Sequence, residues 1–314
     1  MDESFLIKVV GRLGGGIKDM KEVRILNRIL RWMPDGISYE ADPRHAELLV
    51  REYGGGPAVR TPGVKPEKGE DTEQDSPLEG REASHFRSGA ARAHYLAMDR
   101  ADLAFATKEF CRRMSAPSSR DVALLKRVVR YLAGEPRLVY RYAWQLSRDL
   151  AVYVDTDFAG YFKTRKSTSG GCALIGTHLI KHWSSTQKVV TLSSGEAELA
   201  GIVKGSAEAL GLQSLAQDLG ISIDVRVYAD SSAAIGICRR SGIGRIRHLA
   251  VGQLWVQEKV RSGEIALYKV AGTANPADIL TKHMTRDTLD RHLSSIRLHR
   301  APGRAETAPQ IVAG

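Results

Sequence analysis

The chain has 314 residues, with 46 lysines and arginines against 36 aspartates and glutamates. The resulting net charge of +10 favours an anionic partner, most commonly nucleic acid. Cys111, Cys172 and Cys238 lie far apart with no CxxC pair, which excludes a zinc ribbon and a disulfide framework. No apolar run approaches the ~18 residues of a membrane span. Met1–Gly16 lacks the basic start and cleavage-like site of a signal peptide, so an intracellular protein of the cytoplasm or nucleus, neither secreted nor membrane-bound, is expected.

In chain order, Phe5–Val10 reads as a strand, and the first sixty residues mix short strand-like runs with one helix. Pro43–Tyr53 sets Ala46, Leu49 and Val50 on one face behind a proline suited to a first helical turn, and three glycines at 54–56 end it. Residues 61–83 are rich in proline, glycine and charge without apolar periodicity, the pattern of a flexible linker. Residues 84–135 read as helical, with one helix over Ala101–Met114. A stronger one over Asp121–Leu132 aligns Val122, Leu125, Val128, Val129 and Leu132.

From residue 147 the pattern changes. Leu150–Asp155, Gly171–Ile175 and Leu179–Ser184 read as strands, with a tight turn at Gly176–His178. A long helix follows over 195–219, then a strand at Val225–Ala229 and helices at Ser231–Arg239 and Leu249–Arg261. Ile265–Val270 is a strand, and Ala277–His283 starts a last helix. Three meandering strands followed by alternating helices and strands predict a mixed α+β (α/β) domain, one five-stranded sheet with helices on its faces. Residues 291–314 read as a disordered tail.

Four carboxylates stand at element ends: Asp155 closing the first of these strands, Glu198 in the first turns of the long helix, Asp230 after the fourth strand, and Asp278 opening the last helix. Each has an ordinary alternative. Asp230 and Asp278 suit helix caps, Glu198 a solvated helix face beside Glu196, and Asp155 the start of a loop. Clustered carboxylates repel one another unless a cation joins them. Hard divalent ions with oxygen ligands relieve that cost, and a pair of them suits phosphodiester hydrolysis.

The blocks YVDTDFAG (153–160), RKSTSGGCALI (165–175), HWSSTQKVVTLSSGEAELAGI (182–202), VYADSSAAI (227–235), IRHLAV (246–251) and NPADILTK (275–282) closely resemble, in order, the ribonuclease H of copia-type retrotransposons. The resemblance implies a ribonuclease H-like fold over 147–290 that cleaves the RNA strand of an RNA–DNA hybrid with two magnesium ions, manganese being the alternative. No small-molecule cofactor is implied. Its acidic tetrad falls on Asp155, Glu198, Asp230 and Asp278. The strand-Asp opening favours Asp155 over Asp157, and the AEL signature favours Glu198 over Glu196. For substrate contacts, Lys163, Arg165 and Lys166 are candidates to grip backbone phosphate. Ser193 and Ser194 lie where a 2′-hydroxyl would be read, and Arg247 and His248 form a second basic group. The chain departs from the family at Ala250, where an acidic residue is usual, and in having no histidine in the loop 271–276. An integrase-type site, whose glutamate comes last, is excluded by the position of Glu198.

Upstream, residues 85–134 resemble the segment joining reverse transcriptase to ribonuclease H in the same polyproteins, and 23–63 the end of the polymerase. The organisation expected is therefore a reverse-transcriptase remnant (1–60), a linker (61–83), a largely helical connection (84–146), the ribonuclease H domain and the tail. No Asp-Asp dipeptide occurs, so DNA synthesis is not expected. The competing reading is a non-catalytic remnant that binds nucleic acid or acts as a scaffold, with a full-length reverse transcriptase as a further partner. Trp144, Trp183 and Trp255 are expected in the core.

Overall fold

The computed structural model describes residues 9, 11–65, 75–161, 163–244 and 251–311. The expected strand at Phe5–Val10 and most of the block 246–251 lie outside the described residues, as do 66–74 of the expected linker.

The upstream half opens with an antiparallel meander of β1 (Glu22–Ile25), β2 (Arg28–Met33) and β3 (Gly36–Glu40). Leu26 and Asn27, both at positive φ, make the two-residue turn whose twist suits a hairpin. The helix predicted at Pro43–Tyr53 is α1, started by the Asp42 side chain accepting from the Arg44 N–H. It packs with α2 (Gly80–Ala97), α3 (Ala101–Cys111) and α4 (Ser119–Gly134) around Leu49, Phe86, Phe110, Leu125 and Leu132. Ser118 and Asp121 cap each other's backbone at the start of α4.

The connection over 84–146 is largely helical and ends in β4 (Leu138–Ala143), which adds to β3. Three expectations fail here. The chain beyond 290 is not a free tail. It completes α8 (Arg286–Ser295) and adds β10 (Leu298–Arg300) beside β4, and Ala305 and Ala308 bury against Ile29. Strand pairing of this kind is made by backbone groups distant in sequence, so composition does not announce it. Trp144, expected in the core, is half exposed and packs on Trp32 with ring centroids 4.6 Å apart. Trp183 is buried and Trp255 packs on the core. The described linker ends are ordered too, with α2 beginning at Gly80 and burying Ala83.

The downstream half matches the predicted order closely. β5 (Asp149–Asp157), β6 (Thr168–Ile175) and β7 (His178–Thr186) form an antiparallel meander. The helix α5 (Ser194–Asp218) then crosses to β8 (Asp224–Ala229). After α6 (Ser232–Arg239) and α7 (Val251–Arg261) comes β9 (Ala266–Lys269). The strand order is β7-β6-β5-β8-β9, with β5, β8 and β9 mutually parallel. This is the mixed five-stranded sheet that the resemblance implies.

One face of the sheet is covered by α5, whose Leu199, Ile202 and Ala209 join Val152, Val154 and Val227 in a core. Gly205 makes this close approach feasible: a Cβ there would lie 2.4 Å from Val154 Cγ1. A further core is shared with the upstream half. Ala101 and Ala104 of α3 and Leu138 and Tyr140 of β4 pack with Cys172, Leu174, Leu179, Leu280 and Leu293. Among the described residues no helix is long and apolar enough to cross a membrane.

Candidate active site

Parallel pairing fixes the first two carboxylates. Tyr153 of β5 is in register with Tyr228 of β8, so Asp155 and Asp230, each two residues on, emerge at the same end of neighbouring strands. The third comes from α5. Glu198 lies seven residues before Gly205, two helical turns along the face that meets β5. Asp155, Glu198 and Asp230 thus converge, each offering an oxygen within 4.8 Å of the others.

Asp278 arrives on a different element from the one predicted. Instead of a helix over Ala277–His283, a single 3-10 turn spans Pro276–Leu280. The Asn275 side chain accepts from the Ala277 N–H and Pro276 fills the first position, a start that suits a short turn as well as a helix. The turn stops at Thr281, which faces inward and donates to Asp155 Oδ2 and to the Asp278 carbonyl. Gly170 of β6, paired with Asp155, gives the turn its room: a Cβ there would sit 2.6 Å from Thr281 Cγ2.

Ordinary capping duties fall to other residues. Ser193 caps α5, with Glu196 returning a carboxylate to the Leu192 N–H. Ser231 caps α6 and Asn275 caps the 3-10 turn. Glu198, Asp230 and Asp278 are therefore not held in place by the local role each had as an alternative. Glu198 Oε2 is buried with no hydrogen-bond partner, a costly state for a carboxylate oxygen in the absence of a cation.

The electrostatics agree. Burial pushes the Glu198 carboxyl up to about 8, helped by the charges of Asp155 and Asp230. Asp278 is pushed up to about 6 by burial and by Asp155. Asp230 is raised by the same two causes. Lys282 opposes these shifts at all three carboxyls, and Lys269 adds to it at Asp230. Lys282 Nζ lies 3.0 Å from Asp278 Oδ1 and 3.6 Å from Asp155 Oδ2. Burial works against its charge, yet the two aspartates hold it above the ordinary lysine value.

Asp157, two residues beyond Asp155, is not in the triad. It lines a cavity of about 400 Å³ with Phe105, Tyr161, Thr168 and Lys282, and burial raises its carboxyl. Nearby, Lys108 of α3 donates to Thr168 Oγ1 at 2.7 Å and is pushed down to about 8 by burial. The basic candidates Lys163, Arg165 and Lys166 occupy the turn after β5, at the Asp155 end of the sheet. Lys163 and Arg165 are exposed there, and Arg165 is at positive φ. The Ser193 hydroxyl is engaged by Glu196, whereas Ser194 is exposed at the start of α5. Arg247 and His248 lie outside the described residues. Residues that sequence reasoning passed over are Asn275, Thr281 and Lys282. All three lie in the block NPADILTK, and Lys282 stands four residues after Asp278, one helical turn away.

No family model matches the chain. It is 30% identical over 222 residues to the retrovirus-related Pol polyprotein from transposon RE1 of Arabidopsis thaliana, covering 70% of this chain and 15% of that protein. To the corresponding polyprotein from transposon TNT 1-94 of Nicotiana tabacum it is 29% identical over 202 residues, 64% of this chain and 15% of that one. Among solved structures, it is similar to the N-terminal RNase H domain of a Mycobacterium tuberculosis protein. That likeness has 17% identity and a TM-score of 0.31, over 48% of this chain and 99% of that chain. The chain thus spans about 15% of the length of these curated relatives. Over about 70% of its length, the chain is a relative of the retrovirus-related Pol polyproteins of retrotransposons.

Proposed function

We propose that this chain is a ribonuclease H-type endonuclease that cuts the RNA strand of an RNA–DNA hybrid by two-metal hydrolysis. The observation that carries the reading is the convergence of Asp155, Glu198 and Asp230 within 4.8 Å, beside Asp278 on its own turn. Its donor set is all carboxylate oxygen, one of them a buried oxygen without a partner, which fits hard divalent cations such as magnesium or manganese. Asp155, Glu198, Asp230 and Asp278 would hold the ions. When bound, such ions neutralise phosphate charge and make water a better nucleophile at neutral pH.

The chain's own residues do the rest. Thr281 fixes the Asp155 carboxylate through its hydroxyl, and Asn275 anchors the turn that carries Asp278. The basic turn at Lys163, Arg165 and Lys166 grips backbone phosphate near the scissile bond. Backbone groups around 155–160 and 193–194 face the 2′-hydroxyl that distinguishes RNA from DNA. Water attacks phosphorus and the P–O3′ bond breaks, leaving a 5′-phosphate and a 3′-hydroxyl. DNA synthesis is not part of the proposal, since no paired aspartates occur in the sequence.

The test is incubation of end-labelled RNA–DNA hybrid with the full chain, with magnesium or with EDTA. Magnesium-dependent cutting of RNA only is expected. Hybrid binding without cleavage would leave the scaffold reading in its place.

A further inference from the structure

The position of Lys282 goes further than the tetrad itself. Two kinds of acidic subsite are present. Asp155, Glu198 and Asp230 gather their oxygens together, and Lys282 has no ion pair to Glu198 or Asp230 among the described residues. The Lys282 ammonium instead bridges Asp155 Oδ2 and Asp278 Oδ1. Its side chain is 49% exposed, while those of Asp155 and Asp278 are 4% and 14% exposed. The carboxylates are thus fixed in the wall of the site, and the cation reaches them from solvent on a flexible four-carbon stem.

We infer that Lys282 is a resident counter-cation that occupies the Asp155–Asp278 side of the tetrad and competes with a divalent ion for it. This rests on the nuclease reading and deepens it by assigning unequal properties to the two ion positions. The position among Asp155, Glu198 and Asp230 fills without displacing a protein charge. Filling the position between Asp155 and Asp278 requires the ammonium to leave, because a divalent ion held by those two carboxylates would take the ammonium's place and repel its charge at short range. The first ion therefore binds tightly and the second weakly. Lys282 also limits the repulsion between Asp155 and Asp278 while no ion is bound, so that a preformed acidic pocket does not depend on metal to fold.

The experiment is calorimetric titration of the full chain with magnesium chloride and with manganese chloride, in the absence of nucleic acid. Wild type is expected to show two unequal affinities. Lys282→Met keeps the stem and removes the charge, and its weaker affinity should tighten by roughly tenfold or more, as expected for removal of a competing charge at short range. Thermal melting in EDTA should show Lys282→Met less stable than wild type, with magnesium restoring the difference. Lys282→Arg retains the charge and should titrate like wild type, which separates charge from packing and serves if the methionine variant folds poorly. Metal binding with the weaker affinity unchanged or reduced in Lys282→Met overturns the competitor role and leaves the nuclease reading standing. No metal binding by wild type, with no cleavage of hybrid, overturns both.

Discussion

The Asn275 side-chain amide donates to the backbone carbonyl of Val154 at 2.8 Å, across 121 residues of sequence. That bond ties the turn bearing Asp278 to the strand bearing Asp155, one residue before the carboxylate. The same side chain accepts from the Ala277 N–H at 3.1 Å, and Asn275 is fully buried. Replacing it with alanine leaves two buried backbone groups without partners. Asn275→Ala is expected to lose about 2 kcal/mol of stability and to lower cleavage by loosening Asp278. Urea unfolding and a hybrid-cleavage assay read the two effects, and an unchanged unfolding midpoint would show that the bond does not anchor the turn.

Asp155 touches every part of the site: it shares the triad, accepts from Thr281 and pairs with Lys282. On the proposed reading, Asp155→Asn removes a ligand charge and little volume. Cleavage should fall to background while the far-ultraviolet circular dichroism and melting stay close to wild type. Asp157→Asn, outside the triad, should retain magnesium-dependent cutting. The reverse pattern would move the metal site to Asp157.

The Glu198 carboxyl, pushed up to about 8, gives a pH dependence to the metal-free protein. Below the unfolded value near 4.5 both states hold the proton. Between 4.5 and 8 the unfolded chain gives it up while the folded chain keeps it, so stability drops as pH rises and levels off above 8. Glu198→Gln removes that loss. In EDTA, the variant should therefore gain on wild type between about pH 5 and pH 8, on the order of 1–3 kcal/mol once the shift is discounted for solvent screening. Equal stability differences at the two pH values would contradict the buried, ionisation-resistant state of Glu198.

The shared core of α3, β4 and the larger sheet makes a prediction about domain boundaries. A fragment spanning residues 147–290 lacks Ala101, Ala104, Leu138 and Tyr140, which pack against Cys172, Leu174 and Leu179. It also lacks the buried Lys108–Thr168 hydrogen bond. That fragment should melt at least ~10 °C below the full chain, or not fold cooperatively, since removing each large buried side chain costs ~2–4 kcal/mol. A melting temperature matching that of the full chain would make the downstream half an autonomous domain.

The proposed phosphate grip of Lys163, Arg165 and Lys166 predicts that affinity for hybrid weakens as salt is added. Changing all three to alanine should weaken binding and flatten the log–log salt dependence by about one unit for each phosphate no longer neutralised. Binding titrations at several potassium chloride concentrations measure the slope. A slope indifferent to the substitution would place the phosphate grip elsewhere.

Much of this protein is legible in its sequence. Apolar periodicity locates α1 to the residue and bounds α4, β5, β6, β7, α5 and β8 closely. Local pattern suffices there because most of those elements bury one recurrent face, while β6, buried on both, is bounded by the turn that follows it. The four carboxylates are legible as a resemblance and as strand-end positions. Their convergence is not, because it depends on the parallel register of β5 with β8 and on small residues that let α5 and the 3-10 turn approach the sheet. Tertiary structure alone decided three other things: that β4 and β10, far apart in the chain, pair as neighbours, that the chain past 290 packs back on the fold, and that Lys282 sits against Asp155 and Asp278. The physical reason is common to all three. Backbone hydrogen bonding and charge compensation join groups by distance in space, and neither leaves a period in the sequence.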